Sequence, residues 1–156
     1  MKFRRLTIEE LQGLEQEFVQ FLAANTITGS DWAKLKEHEI EKANELIDVF
    51  SDLVFEKIIK DVLYLEFRTE KDIKTFHCQE DKIVLIGLQH KKPSTIDLSD
   101  EKQLKKAIED ASSSLQIYFT EKVYTPNRAL ELFRMLEHGA VISKNGELFK
   151  ALESLR

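Results

Sequence analysis

The sequence is poor in the residues that build special sites. Its only cysteine, Cys78, has no partner in the chain, so an internal disulfide and a zinc site made of cysteines are both excluded. Five glycines and two prolines among 156 residues are too few for long flexible linkers. The glycine-rich loops that hold dinucleotides or nucleotide phosphates are also absent. These gaps predict a protein without a cofactor, with most of its chain in helices and strands.

Long apolar segments are missing as well. The longest apolar run, residues 83–88, is far shorter than the roughly 20 residues that span a bilayer. Three of the first five residues are basic, but Glu9 and Glu10 follow before the apolar core of a signal peptide could form. We therefore expect a soluble, cytoplasmic protein that does not associate with membranes.

A basic surface is not evident either. The formal net charge is −5, and the lysines alternate with acids along the predicted helices, as on a solvated surface. Proteins that bind nucleic acid usually carry a basic face that displaces counterions from phosphate. The one tight basic cluster, Lys2, Arg4 and Arg5, is interpreted as an exposed terminus. The charge pattern thus predicts no nucleic-acid partner.

The composition and length predict a single globular domain over residues 1–156, because 42% hydrophobic residues suffice for one core in a chain of this size. A capping box at Thr7 and Glu10 begins a helix that runs to about residue 25. Thr28 starts a short helix, and helical spacing predicts a long one over about residues 41–61.

The second half of the chain shows strand signals. Alternation of apolar and polar residues predicts strands at residues 62–67 and 115–120, with a weaker signal at 73–78. Residues 82–88 are apolar on both faces and predict a strand that is interior or covered on both sides. The first three form an antiparallel meander, since their connections are short. The helix between the third and fourth strands begins at Ser99, and its apolar face carries Leu104, Ala107, Ile108 and Ala111. Such a helix is able to serve as a crossover that makes the fourth strand parallel to the third.

Two C-terminal helices complete the predicted fold. The first is capped at Thr125, has Pro126 in its first turn and is ended by Gly139. The second follows an Asn145–Gly146 turn. The predicted fold class is therefore α+β: N-terminal helices, a three-stranded antiparallel meander, a crossover helix, a fourth strand and two C-terminal helices.

Reactive constellations are scarce. The four histidines include no pair at the i, i+4 spacing that binds a metal on one helix face. His77 and Cys78 are neighbours on a strand, so their side chains point to opposite faces and cannot share a metal. Cys78 has no local base and is predicted to lie in the core. No metal site and no catalytic residue is predicted.

One surface is a candidate binding site. Its residues lie on the less apolar sides of three predicted strands, and they gather on one face if the first, second and fourth strands are neighbours. Aromatic and charged groups in such an arrangement bind a ligand or a partner, or else form a solvated sheet face. The residues are Tyr64, Glu66, Thr75, His77 and Tyr118.

The order of three strands, a helix and a strand also occurs in two nuclease scaffolds that hold divalent metals on carboxylates. In a restriction-endonuclease-like site, the acid of the third strand would be replaced by Gln89, before His90 and Lys91, with Asp72 or Asp81 upstream. In a ribonuclease-H-like site, the convergent acids would be Glu66, Glu109 and Glu121. Because both sets are incomplete or unproven, we favour a non-enzymatic protein-binding or accessory module, with a divalent-metal hydrolase or nuclease as the alternative.

The long helix carries two apolar stripes. Ala43, Leu46, Ile47 and Phe50 form the first, and Phe55, Ile59 and Val62 lie roughly 100° around the axis from it. The helix therefore either breaks near Ser51 or is covered from a new direction. The second patch is predicted to be covered by the C-terminal helix, or else to be exposed and to form the interface of a homodimer. The chain is accordingly expected to be a monomer or a homodimer.

Several segments together resemble a known family. They are Thr-x-x-Glu-Leu at residues 7–11, FVQFLAAN at 18–25, Asp31-Trp32, DKIVLIGL at 81–88 and GELFKALE at 146–153. This combination is similar to a bacterial family of about 150–160 residues known only as a domain of unknown function. The resemblance covers nearly the whole chain and implies a housekeeping or accessory role, without bringing an activity or site residues.

Overall fold

The computed structural model describes residues 1–110 and 114–156, so the predicted helix residue Ala111 lies outside the described part. The chain divides into two compact units, Met1–Lys60 and Asp61–Arg156. The α+β class is confirmed: helices make up the first unit, and an antiparallel sheet with further helices makes up the second. The single-domain organisation stays a prediction. Of the helices in the described residues, none combines the length and the apolarity that crossing a bilayer requires.

The first unit contains four helices: α1 (Ile8–Gly13), α2 (Glu15–Ala24), α3 (Gly29–His38) and α4 (Ile40–Lys60). The capping box at Thr7 is confirmed, and Thr28 forms a second one with Asp31. The predicted first helix is interrupted at Leu14, directly after Gly13, because glycine is a poor helix former. The core of the unit is aromatic, with the Phe18 ring centroid 5.1 Å from Trp32 and 5.0 Å from Phe50.

The N-terminal segment, residues 2–6, lies along α4 and is held by it. Asp52 accepts hydrogen bonds from the backbone N–H groups of Lys2 and Phe3, at 2.6 and 3.0 Å. The Ser51 hydroxyl accepts one from Leu6 at 2.9 Å. The basic cluster is engaged as well, through the ion pairs Lys2–Glu56, Arg4–Glu10 and Arg5–Asp48. Lys2 and Arg5 are exposed, as the interpretation as an exposed terminus expected, and Arg4 is half-buried.

This segment also covers Phe55, the first residue of the second stripe of α4. The helix is continuous through Ser51, whose hydroxyl donates to the Ile47 carbonyl at 2.7 Å. A break is thus excluded, and a cover from another direction is found. The Phe3 ring lies 5.9 Å from the ring of Phe55, and the Arg4 guanidinium lies 4.8 Å from the same ring.

The second unit is built on a five-stranded sheet. Its elements are β1 (Tyr64–Arg68), β2 (Asp72–Cys78), β3 (Lys82–His90), α5 (Glu101–Glu109), β4 (Leu115–Val123), α6 (Arg128–Glu137), β5 (Val141–Ser143) and α7 (Glu147–Ser154). The strand order is β4-β3-β2-β1-β5, and every neighbouring pair is antiparallel. The meander is therefore confirmed.

The parallel crossover is wrong. Strand β4 pairs antiparallel with β3, with Leu115 opposite His90 at one end and Val123 opposite Lys82 at the other. The connection thus begins and ends at the same end of the two strands. With nine residues, α5 spans about 14 Å, whereas the nine-residue β3 spans about 30 Å, so α5 forms a local excursion instead of a return along the strand.

Two helix caps also differ from the prediction. Asp100, not Ser99, caps α5 and accepts a hydrogen bond from the backbone of Lys102. Asn127 caps α6, whereas Thr125 and Pro126 precede it in a cis peptide bond. Ser99 and Asp100 have similar capping propensities, which sequence alone does not rank, whereas Asn127 is a better cap than Thr125 and was passed over because Pro126 is favoured in a first turn.

One face of the sheet carries the main core of this unit. Cross-strand neighbours share a face, so the register places Ile73, Ile86 and Leu88 on the same side. They pack with residues of α5 and α7 in one buried cluster. We call this side the α5–α7 face and the other side the opposite face. Strand β3 is buried on both sides, as its continuous apolar sequence predicts.

Candidate functional site: a cleft between α5, α7 and strand β1

The structure brings four of the five predicted surface residues together. Tyr64 lies opposite His77 and Glu66 opposite Thr75, all on the α5–α7 face. Tyr118 does not join them, because its cross-strand neighbour is Gly87 on the opposite face. The alternation within a strand shows which residues share a side of that strand. It does not show how two strands that are not neighbours are aligned, and β4 lies three positions from β1.

This face is not the solvated surface that was the simpler expectation. Thr75 is completely buried, and its hydroxyl donates to the Ile86 carbonyl at 2.7 Å. The hydroxyl is thus satisfied inside the core, and Thr75 is not available to a ligand. The polar appearance of this side in β2 comes from a residue whose polar group is bonded to the next strand.

Tyr64 and His77 form an aromatic cluster with α7. Their rings stack with centroids 4.7 Å apart, and the Phe149 ring lies 5.6 Å from Tyr64 and 5.5 Å from His77. The Lys150 ammonium lies 5.6 Å above the Tyr64 ring. Gly146, which directly precedes α7, has a φ of +62°, and a β-carbon there would overlap the Tyr64 ring. Glycine is therefore required at this position both for its conformation and for its size.

Glu66, two residues after Tyr64 on β1, lines an open cleft of about 610 Å³. The cleft lies between α5, α7 and the β1–β5 edge of the sheet. At one end the Arg68 guanidinium is held by Glu66 at 3.1 Å and by Glu101 at 2.5 Å. Burial lowers the pKa of Arg68, but the hydrogen bond to Glu101 and the two nearby carboxylates outweigh it and raise that pKa. The guanidinium thus stays charged and is fixed in place.

The cleft has an apolar floor and a charged rim. The floor consists of Leu104, Ile108, Leu148 and Ala151, which are buried or half-buried. The rim consists of exposed side chains of both signs: Lys105, Glu109, Lys144 and Glu147. Within the described residues, these four side chains take part in no ion pair or side-chain hydrogen bond. They are therefore free to contact a ligand.

Of the five residues of the predicted binding surface, only Glu66 lines this cleft, and Glu109 was considered only as an acid of a ribonuclease-H-like site. Arg68 was accessible to it, because residues two apart on a strand share a face and Glu66 and Arg68 have opposite charges. The contributions of α5 and α7 were not accessible, since they depend on how helices distant in the chain pack on the sheet. Strand β5, which supplies Ile142 and Ser143, was missed because three residues are too few for a visible alternation.

The carboxylates of the proposed nuclease sites do not converge. Glu66 and Glu109 share the cleft, but Glu121 lies on β4 and pairs with Lys82 at 3.1 Å. Asp72 lies opposite Gln89 and is bonded to Lys74 and to the Tyr118 hydroxyl. In the parts of the chain that the structure describes, no three His, Cys, Asp or Glu residues come together in a way that could hold a metal ion.

The three predicted interface residues are covered to different degrees. Phe55 is half-buried under the N-terminal segment, whereas Ile59 and Val62 are each 1% exposed. The homodimer interpretation required an exposed apolar patch, which these residues do not offer. The oligomeric state of the protein itself stays a prediction.

Comparison with known proteins gives one finding. A family model described as "Family of unknown function (DUF6495)" matches residues 1–156. No curated protein and no solved structure matches the chain. The predicted resemblance to a domain of unknown function is therefore confirmed, and the match brings no activity with it.

Proposed function

The chain belongs to DUF6495, a family of unknown function, and we propose from the geometry of the cleft that the protein is a protein-binding module. The α5–α7 cleft holds a short segment of a partner polypeptide. The segment carries apolar side chains that cover the floor and charged side chains of both signs that meet the rim. This is the finer form of the non-enzymatic role that the sequence favours.

The observation that carries the proposal is the position of an open strand beside an apolar floor. Strand β5 pairs on one side with β1 and ends the sheet on the other. Two of its residues, Val141 and Ile142, are 65% and 41% exposed, and Ile142 also lines the cleft. An extended peptide is able to add to such an edge through main-chain hydrogen bonds while alternate side chains enter the adjoining groove.

The charges of the cleft support a polypeptide over a small ion. Lys105 and Lys144 stand on the same rim as Glu109 and Glu147, so no single sign of charge dominates. A phosphate or a metal ion requires several groups of one sign that converge on a point. A peptide with an apolar centre and mixed charges at its ends meets this rim and this floor together.

Site-specific photo-cross-linking tests this function. A photoreactive amino acid is introduced at Lys105 or Lys144, and at the matched control Gln16, an exposed position on α2. Each variant is irradiated in a lysate of the native host, and cross-linked peptides are sequenced by mass spectrometry. We expect both cleft positions to yield the same short segment of one protein, and Gln16 to yield none of it.

A synthetic peptide of that segment then provides the quantitative test. It should bind the purified protein, and reversing the rim charges with Lys105→Glu and Lys144→Glu should weaken binding by about tenfold or more, as the loss of two ion pairs implies. Cross-linking that is equally frequent at Gln16 and at the cleft would contradict the proposal. So would a peptide whose affinity is unchanged by the rim variants.

A further inference from the structure

Strand β4 forms the other end of the sheet and is long for an edge strand. It has nine residues and is exposed from Phe119 to its end at Val123, and among the strands that the structure describes it pairs only with β3. Edge strands of this length usually carry a feature that prevents pairing with another chain, such as an unpaired inward charge or a bulge. Here Glu121 and Lys122 are already paired, with Lys82 and Glu131. The register with β3 is also regular over all nine residues.

The hydrogen-bond pattern shows which backbone groups face outward. The Lys91 N–H donates to the Ser114 carbonyl at 2.8 Å, so these opposed residues form a hydrogen-bonded pair. Because such pairs alternate along an antiparallel ladder, the even-numbered residues of β4 direct their N–H and C=O groups to β3. The odd-numbered residues direct theirs outward: Leu115, Ile117, Phe119, Glu121 and Val123. A pairing partner must match these odd positions.

The charges along this edge complement those along the same edge of a second copy. The Arg156 guanidinium lies 3.6 Å from the centroid of the Phe119 ring, on the α5–α7 face. Glu121 lies on the same face, two residues further along, with its side chain 48% exposed. A two-fold axis through Thr120 places each Glu121 opposite the Phe119 of a second copy, and so beside that copy's Arg156. The same axis places Ile117 opposite Val123.

The neighbouring registers lack this match. Moving the axis to Phe119 places Glu121 opposite the apolar Ile117. Moving it to Glu121 places the two Glu121 side chains opposite each other, which is repulsive. Intermediate registers join odd to even positions, so their hydrogen-bonding groups do not meet. The axis through Thr120 is thus the central register that satisfies both the backbone and the charges.

We propose that a second copy of this chain binds to the β4 edge in this register, so that the two sheets become one continuous antiparallel sheet. The interface is isologous, as expected for a two-fold dimer. It is independent of the proposed peptide site, since β4 and β5 are at opposite ends of the sheet. It also differs from the dimer considered on the second stripe of α4.

Sedimentation velocity over a wide range of protein concentration, at low salt, tests the proposal. The mass should rise from one copy to two. Glu121→Arg and Arg156→Glu should each weaken dimerisation by about tenfold or more, because each places like charges in contact. The double variant Glu121→Arg/Arg156→Glu should regain most of the affinity. The control Glu80→Arg changes the charge equally in the exposed β2–β3 turn and should leave the affinity unchanged.

Amide hydrogen exchange identifies the edge itself. In the dimer, the amides of Phe119 and Glu121 should gain protection with concentration, whereas those of Tyr118 and Thr120 should be protected at every concentration by β3. A mass of one copy at all accessible concentrations overturns the proposal. A dimer whose affinity is unchanged by both charge reversals overturns it equally. So does a dimer that protects amides elsewhere and not in β4, and this result indicates another interface.

Discussion

Gly87 is expected to be the least replaceable residue of the sheet, because the ring of Tyr118 lies directly over it. A β-carbon added at Gly87 would overlap Cζ, Cε1 and Oη of that ring. Gly87→Ala must therefore displace Tyr118, whose hydroxyl donates to Asp72 at 2.7 Å. Burial, with the hydrogen bond to Asp72, raises the pKa of this hydroxyl, so the phenol stays protonated and is a donor.

The magnitude follows from three contributions. Overpacking a well-packed site destabilises by about 1–3 kcal/mol, and losing a hydrogen bond to a charged acceptor by about 1.5–3 kcal/mol. Replacing a strand glycine by alanine recovers about 0.5–1 kcal/mol. We expect a net loss of about 3.5 kcal/mol, with each contribution taken near its middle. Trp32 lies in the first unit, whereas Gly87 and Tyr118 lie in the second. Amide hydrogen exchange of peptides from β3 and β4 measures the loss directly.

A double-mutant cycle separates the overlap from other effects of the substitution. In a Tyr118→Ala background the ring is absent, so Gly87→Ala should be neutral or slightly stabilising there. Tyr118→Phe keeps the ring but removes the hydroxyl, and should show the share that belongs to the Asp72 hydrogen bond alone. A Gly87→Ala loss of the same size with and without the Tyr118 ring would refute the reasoning.

Two further predictions concern titratable groups. The pKa of Glu10 is lowered to about 2, mainly by the hydrogen bond from Arg4 and then by that from the Thr7 backbone. Because the folded pKa is below the unfolded value of about 4.3, the stabilisation by Glu10 is complete above that value and is lost as the pH falls towards 2. Glu10→Gln should thus lower the urea midpoint of Trp32 fluorescence at pH 7 but hardly change it near pH 2; an equal shift at both values would contradict this. Burial raises the pKa of the Cys78 thiol to about 12, so iodoacetamide should not label the folded protein near pH 8 and should add one group after unfolding in urea. Labelling of the native protein at the rate of a free thiol would show that the thiol is accessible.

The features that the sequence predicted correctly depend on residues close together in the chain. The capping box of Thr7 and Glu10 spans four residues, and the turns of the meander are short. The long helix α4 was found within one residue at each end, because each of its halves shows apolar residues at helical spacing. Each of these structures is determined by residues that are close together in the chain, so the local sequence is enough to predict it.

The features that the sequence did not show depend on distant partners. The direction of β4 is decided by how the chain returns from α5, and the side on which Tyr118 lies is decided by the register of β4 with β3. Of the candidate site, Glu66 was found but its two rim lysines were not, since Lys105 and Lys144 are 39 residues apart in the chain. The support of the second α4 stripe by residues 2–6 also depends on contacts nearly 50 positions apart.

Arg128 at the start of α6 has a consequence for the order in which the second unit is completed. Its guanidinium donates to the carbonyls of Val62, Cys78 and Gln79, at 2.5, 3.2 and 3.2 Å. Those residues precede it by 66, 50 and 49 positions, so the strands that carry them emerge from the ribosome well before Arg128 does. Tyr124 also donates to the Gln79 carbonyl, at 2.6 Å, and it too follows the meander in the chain. Until these residues are added, the three carbonyls lack these donors at the end of the meander. The first residue of α6 thus completes the hydrogen bonding of these carbonyls after the meander strands have been made. A chain shortened before Arg128 would leave the carbonyls without this donor.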